Sequence, residues 1–296
     1  MSTETHSSNL QLEHLFKAAF QRTKSRLLSY IIGWLLFYAM LLGACLAIAL
    51  VAGLHFLVFA VTKSPAVVGT LAFISSIAAI VGIAYLGSWG TLATTLILIA
   101  EKPITISDAM KEVKPIIWRY LGVSVLMTLF FVGIMSISAF TLFILMIVWM
   151  VWSAFALFIF LEEKQGGLAS VWKSKAMIKG HFWAVFGRFV LIWVAMYVVM
   201  IALSFGAANY KALNLVTFIL SLLVGPFAMS YMYEIYKNLP KVEKAEKSMG
   251  WIIALVVGWL LFAFWIVSIA STASKTTPRM MENVEKQMMM KKTRDI

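Results

Sequence analysis

Long runs without Lys, Arg, Asp or Glu constrain this chain more than any other feature. The run Tyr30–Val61 is 32 residues long, Val67–Ala100 is a second run, and the run Tyr120–Leu161 is 42 residues long. About 20 apolar residues are needed for a helix to cross a bilayer. Because 62% of the residues are hydrophobic and only 13% are charged, a soluble fold is excluded.

These runs predict an all-α, polytopic helical membrane protein with about seven transmembrane helices. Tyr30–Val61 is expected either to cross with a tilt or to turn near Gly53 and His55. Tyr120–Leu161 is long enough to be a hairpin of two spans, with its turn near residues 136–141. Three further spans are predicted at Phe189–Phe205, Leu213–Tyr233 and Gly250–Ile269.

The charged connections contain an internal repeat. Glu101–Lys111 reads EKPITISDAMK and Glu163–Lys173 reads EKQGGLASVWK, an ungapped match 62 residues apart. Leu10–Leu28, with apolar residues at helical spacing and basic residues opposite, is a weaker third copy. Each repeat is predicted to comprise an interfacial amphipathic helix and a two-span hairpin. Since two crossings return the chain to the same side, the copies are parallel repeats.

The repeats and the composition divide the chain into predicted parts. The N-terminus is polar and expected to be disordered, and the C-terminal tail is basic and rich in Met. The predicted parts are a disordered N-terminus at 1–9, a six-span membrane domain at 10–248 with repeats at about 10–100, 101–162 and 163–240, a transmembrane helix at 249–270, and the tail at 271–296.

The distribution of Lys and Arg predicts the orientation. Seventeen of them lie in the N-terminal segment and in the connections 101–119, 162–188 and 237–247, whereas the alternate loops contain only Lys63 and Lys211. The basic set is expected to be cytoplasmic. Seven spans then place the C-terminus outside, although the tail carries six basic residues. Either this tail is translocated or the final segment does not fully cross.

Several motifs carry a resemblance to known proteins. They are Lys164-Gln165-Gly166-Gly167-Leu168-Ala169-Ser170, Trp172-Lys173-Ser174, Lys179-Gly180-x-Phe182-Trp183, Gly225-Pro226 and Tyr233-x-x-Tyr236-Lys237. Over roughly residues 10–240 the chain resembles the YciC family of uncharacterised bacterial inner-membrane proteins. It also resembles the membrane domain that some bacteria fuse to a glycerophosphodiester phosphodiesterase. The resemblance implies a multi-pass protein of the bacterial cytoplasmic membrane with a connection to lipids.

Basic and aromatic residues around the second repeat copy are the predicted sites of lipid contact. Such residues beside apolar spans are typical of a membrane interface. The candidate headgroup contacts are Lys164, Trp172, Lys173, Lys175, Lys179, Trp183 and Arg188. The alternative is that they only anchor the loops and fix the topology. Gly225 and Pro226 form a candidate helix break that could line a cavity or serve packing.

The remaining polar residues do not predict a catalytic or metal site. Glu101, Glu162 and Glu163 could pair as acid and base, but carboxylates beside Lys at a span end are interpreted as solvated stop signals. With a single Cys and four His, no metal or cofactor is expected. No catalytic motif is recognised, and the phosphodiesterase domain fused in the relatives is absent, so an enzyme is not expected. The basic charge is spread over loops, which argues against nucleic acid.

Two functional hypotheses remain. The leading one is a non-enzymatic integral membrane protein that engages lipid headgroups, with anionic lipids as partners, or organises the bilayer. The alternative is a transporter or channel for a small or lipidic solute, with a cavity near Gly225-Pro226. Its weakness is the lack of charged residues within the spans. A homo-oligomer or a membrane-protein partner is compatible with both hypotheses.

Overall fold

A computed structural model of the chain describes residues 12–138, 141, 143–164, 166–209, 211–243, 245, 249–269 and 271. Within these residues the regular structure is helical and no strand occurs. The helices are α1 (Leu12–Thr62), α2 (Pro65–Ile99), α3 (Ile106–Val113), α4 (Ile117–Ser138), α5 (Ile144–Ser153), α6 (Ala156–Glu163), α7 (Leu168–Ile178), α8 (Phe182–Asn209), α9 (Lys211–Lys237) and α10 (Met249–Ile269). The all-α prediction is confirmed.

Helix α1 is far longer than a bilayer is thick. It contains 51 residues, which at about 1.5 Å per residue gives a rod of about 76 Å, against a hydrocarbon core of about 30 Å. No proline interrupts it, and it stays helical through Gly53 and His55. The predicted alternative of a turn at these residues is therefore wrong, because isolated glycines do not end a helix supported by good helix formers.

Helices α1 and α2 pack against each other as a hairpin with a very short loop. Lys63 has a positive φ of 52°, and Ser64 precedes Pro65 at the first position of α2. Proline is well suited to that position, since its missing N–H would have no partner there. Apolar side chains far along both helices are exposed, among them Leu50 (72%) and Phe73 (67%). Such a surface suits lipid.

Short elements join the long helices. Thr105 caps α3 by accepting a hydrogen bond from the Asp108 backbone N–H at 3.2 Å, and its hydroxyl donates to the Asp108 carboxylate at 2.7 Å. Thr105 is therefore the N-cap residue of α3. A 3₁₀ turn at Lys114–Ile116 then leads into α4.

The predicted hairpin at Tyr120–Leu161 contains two interruptions. Helix α4 ends at Ser138 and α5 begins at Ile144, so this change of element overlaps the predicted turn at 136–141. A second break separates α5 from α6 and leaves the buried backbone N–H of Phe155 without an intrahelical partner. The Ser174 hydroxyl of α7 accepts a hydrogen bond from this N–H at 3.2 Å, which satisfies a donor that a helix N-terminus leaves without an intrahelical partner.

Among the residues that the structure describes, six stretches are long and apolar enough to cross a membrane, by length and composition. They indicate a multi-pass membrane protein. Leu213–Tyr233, the additional predicted span, lies within α9, where many side chains fall outside the described residues, so it stays a prediction. The six stretches are Leu12–Thr62, Pro65–Ile99, Ile106–Ser138, Ile144–Glu163, Phe182–Ala202 and Met249–Ile269.

The chain forms two compact units. The first comprises Met1–Leu126 with Val151–Lys247, and the second Met127–Met150 with Ser248–Ile296, each in its described part. In the second unit α4 and α10 approach very closely at Gly133 and Gly258, where a Cβ on Gly258 would lie 1.9 Å from the Gly133 carbonyl oxygen. The predicted N-terminus at 1–9 and nearly all of the tail at 271–296 lie outside the described residues.

The predicted interfacial segment in α7 is largely buried within the first unit, whereas the one in α1 buries a single stripe of side chains. In α1 the buried side chains begin with Leu15, Ala19 and Thr23 on one stripe. In α7 seven of eleven residues are buried. The burial of α7 differs from that of a helix lying on a membrane surface, because the apolar side chains of such a surface helix would face acyl chains. In both repeat copies the helix begins at the equivalent residue, Ile106 and Leu168, although the larger repeat stays a prediction.

Candidate functional site

The ends of α2, α6 and α9 border a partly open cavity of about 460 Å³ in the first unit. We call it the polar cavity, because charged side chains and tyrosine hydroxyls form much of its wall. Its charged residues are Glu101, Glu112, Glu162, Lys164, Lys237 and Lys241. They come from three of the four segments that the distribution of Lys and Arg assigned to one side of the membrane.

Glu162 is fixed at the cavity wall by two tyrosines. Its carboxylate accepts hydrogen bonds from the Tyr233 hydroxyl at 2.5 Å and from the Tyr236 hydroxyl at 3.0 Å. Burial, with the charge of Glu162 and this hydrogen bond, raises the pKa of Tyr236 far above its ordinary value. At neutral pH the hydroxyl of Tyr236 therefore remains a donor. Glu162 is still an exposed residue at the end of α6, so its interpretation as a solvated stop signal stays a prediction.

An aromatic cluster packs against the rings of the two tyrosines. The Phe158 ring centroid lies 5.4 Å from that of Tyr233 and 5.7 Å from that of Tyr236, and Phe155 lies 6.0 Å from Tyr236. All four rings are at most 4% exposed. Aromatic contacts at these distances stabilise the packing beyond the burial of apolar surface. The packed rings therefore fix the positions of the two tyrosine hydroxyls.

The N-terminal segment supplies two arginines that lie near this aromatic cluster. Arg22 forms an ion pair with Glu234 at 2.6 Å and lies 4.7 Å from the centre of the Tyr233 ring. Arg26 donates to the carbonyl of Ala100, beyond the last residue of α2. Cations are favoured at a helix C-terminus, where carbonyl groups have no intrahelical partner. These two arginines of the segment thus act inside the protein.

The candidate headgroup contacts fall into three groups. Trp172 and Lys173 are buried, 5% and 8% exposed, and Lys173 pairs with Glu163 at 2.5 Å. Glu163 itself is an exposed residue, and its interpretation as a solvated stop signal stays a prediction. Lys164 belongs to the polar cavity. The remaining candidates, Lys175, Lys179, Trp183 and Arg188, lie around the beginning of α8.

We call Lys175, Lys179 and Trp183 the basic rim. Trp183, the second residue of α8, is 78% exposed, and Lys179 is exposed just before that helix. The Lys175 ammonium lies 4.6 Å from the centre of the Trp152 ring. Burial, with the nearby charge of Lys179, lowers the pKa of Lys175. An anion beside the rim would relieve this repulsion.

The beginning of α4 resembles the beginning of α8. Trp118 is the second residue of α4 and is 65% exposed, and Lys114 and Arg119 next to it are exposed. Tryptophans and basic residues at the start of apolar spans are typical of the membrane–water boundary. Trp118 is not among the candidate headgroup contacts predicted from the sequence, although its position shortly after the repeat copy Glu101–Lys111 could have indicated it.

Gly225 and Pro226 lie inside α9, which continues as a helix through both residues. The polar cavity is lined by other residues, so these two take no part in it. Among the described residues no three His, Cys, Asp or Glu side chains are grouped as metal ligands.

Comparison with known proteins returned no match: no family model, no curated protein and no solved structure matches this chain.

Proposed function

We propose that the protein is a non-enzymatic integral membrane protein that binds anionic lipid headgroups at the basic rim. The observation that carries the proposal is the exposure of Lys179 and Trp183 at the start of α8, a helix long and apolar enough to cross a membrane. A tryptophan there lies at headgroup depth. The two lysines then offer positive charge to a phosphate at the same level.

The buried members of the predicted set are not needed for this binding. Because Lys173 already pairs with Glu163, the proposal relies on Lys175 and Lys179. Membrane-surface attraction of about 1 kcal/mol per basic residue gives about 2 kcal/mol for the pair, or roughly thirtyfold in affinity. A bacterial cytoplasmic membrane, with the basic segments on the cytoplasmic side, is the location that the charge distribution and the resemblance favour.

Native mass spectrometry of the protein with added phosphatidylglycerol tests the proposal. Lys175→Gln with Lys179→Gln is expected to reduce retention of this lipid roughly thirtyfold. The matched control is Lys17→Gln with Lys24→Gln, which removes two exposed charges of α1 and is expected to leave retention unchanged. Equal retention by both double variants would refute the role of the rim.

A further inference from the structure

The polar cavity carries three acidic and three basic side chains that do not neutralise one another directly. In the part of the chain that the structure describes, none of the six forms an ion pair. Glu101 and Glu112 come from the connection between α2 and α4, whereas Lys237 and Lys241 come from the end of α9 and the chain after it. Charges of both signs therefore line one space from different segments.

The balance of charge selects the class of ligand. An anion alone would be repelled by Glu101 and Glu112, and a cation alone would be repelled by the lysines. A molecule with a phosphate and a primary ammonium satisfies both sets, since lysines bind phosphate as point charges and an ammonium donates to carboxylates. The volume of about 460 Å³ lies within the range of about 300–1,000 Å³ found for small-molecule sites.

We propose that the polar cavity binds a zwitterionic phosphoethanolamine group. The source favoured by the structure is a membrane lipid, because Leu96, Ile99 and Leu161 line the same cavity. These residues lie near the ends of two segments that are apolar enough to cross a membrane, so apolar side chains adjoin the charged part of the cavity. This inference goes beyond the basic rim and rests on the proposed function only in taking its ligand from the membrane.

The test measures binding of glycerophosphoethanolamine to the purified protein by calorimetry. Lys237→Gln with Lys241→Gln, and separately Glu101→Gln with Glu112→Gln, are each expected to weaken binding at least tenfold. All four side chains belong to exposed residues, so the variants are expected to fold. Lys17→Gln with Lys24→Gln serves as the control and should bind as the unaltered protein does.

Two further probes separate the alternatives. Glycerol phosphate, which lacks the ammonium, is expected to bind more weakly; if it binds as well, and the Glu101→Gln, Glu112→Gln variant is unaffected, the cavity is a simple anion site and the proposal fails. Absence of glycerophosphoethanolamine binding overturns it too. Retention of phosphatidylethanolamine in native mass spectrometry, lost in both cavity variants, supports the lipid source. Binding of the soluble compound without lipid retention supports the site and assigns it a free zwitterion.

The cavity and the basic rim can fail independently. Lys175 and Lys179 do not line the cavity, so their replacement is expected to leave glycerophosphoethanolamine binding unchanged. Loss of phosphatidylglycerol retention in the rim variant, with intact cavity binding, would support only the rim. The reverse pattern would support only the cavity.

Discussion

Glu162 has a role in the structure that its sequence pattern does not predict. Beside Lys164 at the end of an apolar run it has the pattern of a stop signal, yet both of its oxygens accept tyrosine hydroxyls. The i, i+3 spacing of Tyr233 and Tyr236 puts the two rings on one face of α9. That spacing is readable in the sequence, whereas its partner 71 residues away is set by tertiary packing.

The Glu162 network is expected to contribute to stability. Glu162→Leu removes the acceptor of two hydroxyls on residues that are less than 5% exposed, and an unpaired buried polar group costs about 1–3 kcal/mol. We expect a lower Tm in detergent. Glu112→Leu, a change at an exposed residue of the same cavity, is the control and should leave the Tm nearly unchanged. Equal Tm values for both variants would show that the two hydrogen bonds do not stabilise the fold.

At the scale of elements, the crossing of α4 and α10 depends on two glycines. A Cβ on Gly258 would overlap backbone atoms of Gly133, and no side-chain rotation relieves a clash with backbone. Gly258→Ala is therefore expected to lower the Tm, although alanine is favoured over glycine in a helix by about 1 kcal/mol.

Gly43→Ala is the matched control for this crossing. Gly43 lies in α1, and a Cβ there would meet nothing within 4 Å, so only the helix propensity changes and the Tm should stay equal or rise. A similar gain from Gly258→Ala would contradict the close approach of the two helices.

The elements themselves were largely predictable, because length and hydropathy decide which runs can span a bilayer. The runs from Tyr30 to Ala100 became two long helices with their loop at Lys63–Ser64. What the pattern could not show is which face of an amphipathic segment meets lipid and which meets protein. Leu15 and Trp172 were assigned to a membrane surface, but both are buried in the first unit, because periodicity identifies an apolar stripe and not its partner.

For the whole molecule, we expect the basic rim and the polar cavity to lie at one membrane face, opposite the α1–α2 loop. Counting Lys and Arg predicts this arrangement, and the structure brings residues of the separate basic segments together in the first unit. The candidate site was only partly predictable, since the charges were visible while their grouping around one cavity required the folded chain.

Accessibility of single cysteines to a membrane-impermeant maleimide tests this arrangement. In a Cys45→Ala background, Lys63→Cys, Lys179→Cys and Lys241→Cys place one thiol each at the α1–α2 loop, the rim and the cavity. We expect intact cells to be labelled only at position 63, and inverted vesicles only at positions 179 and 241. Labelling of 179 and 241 from opposite sides, or of 63 from the same side as both, would contradict the account.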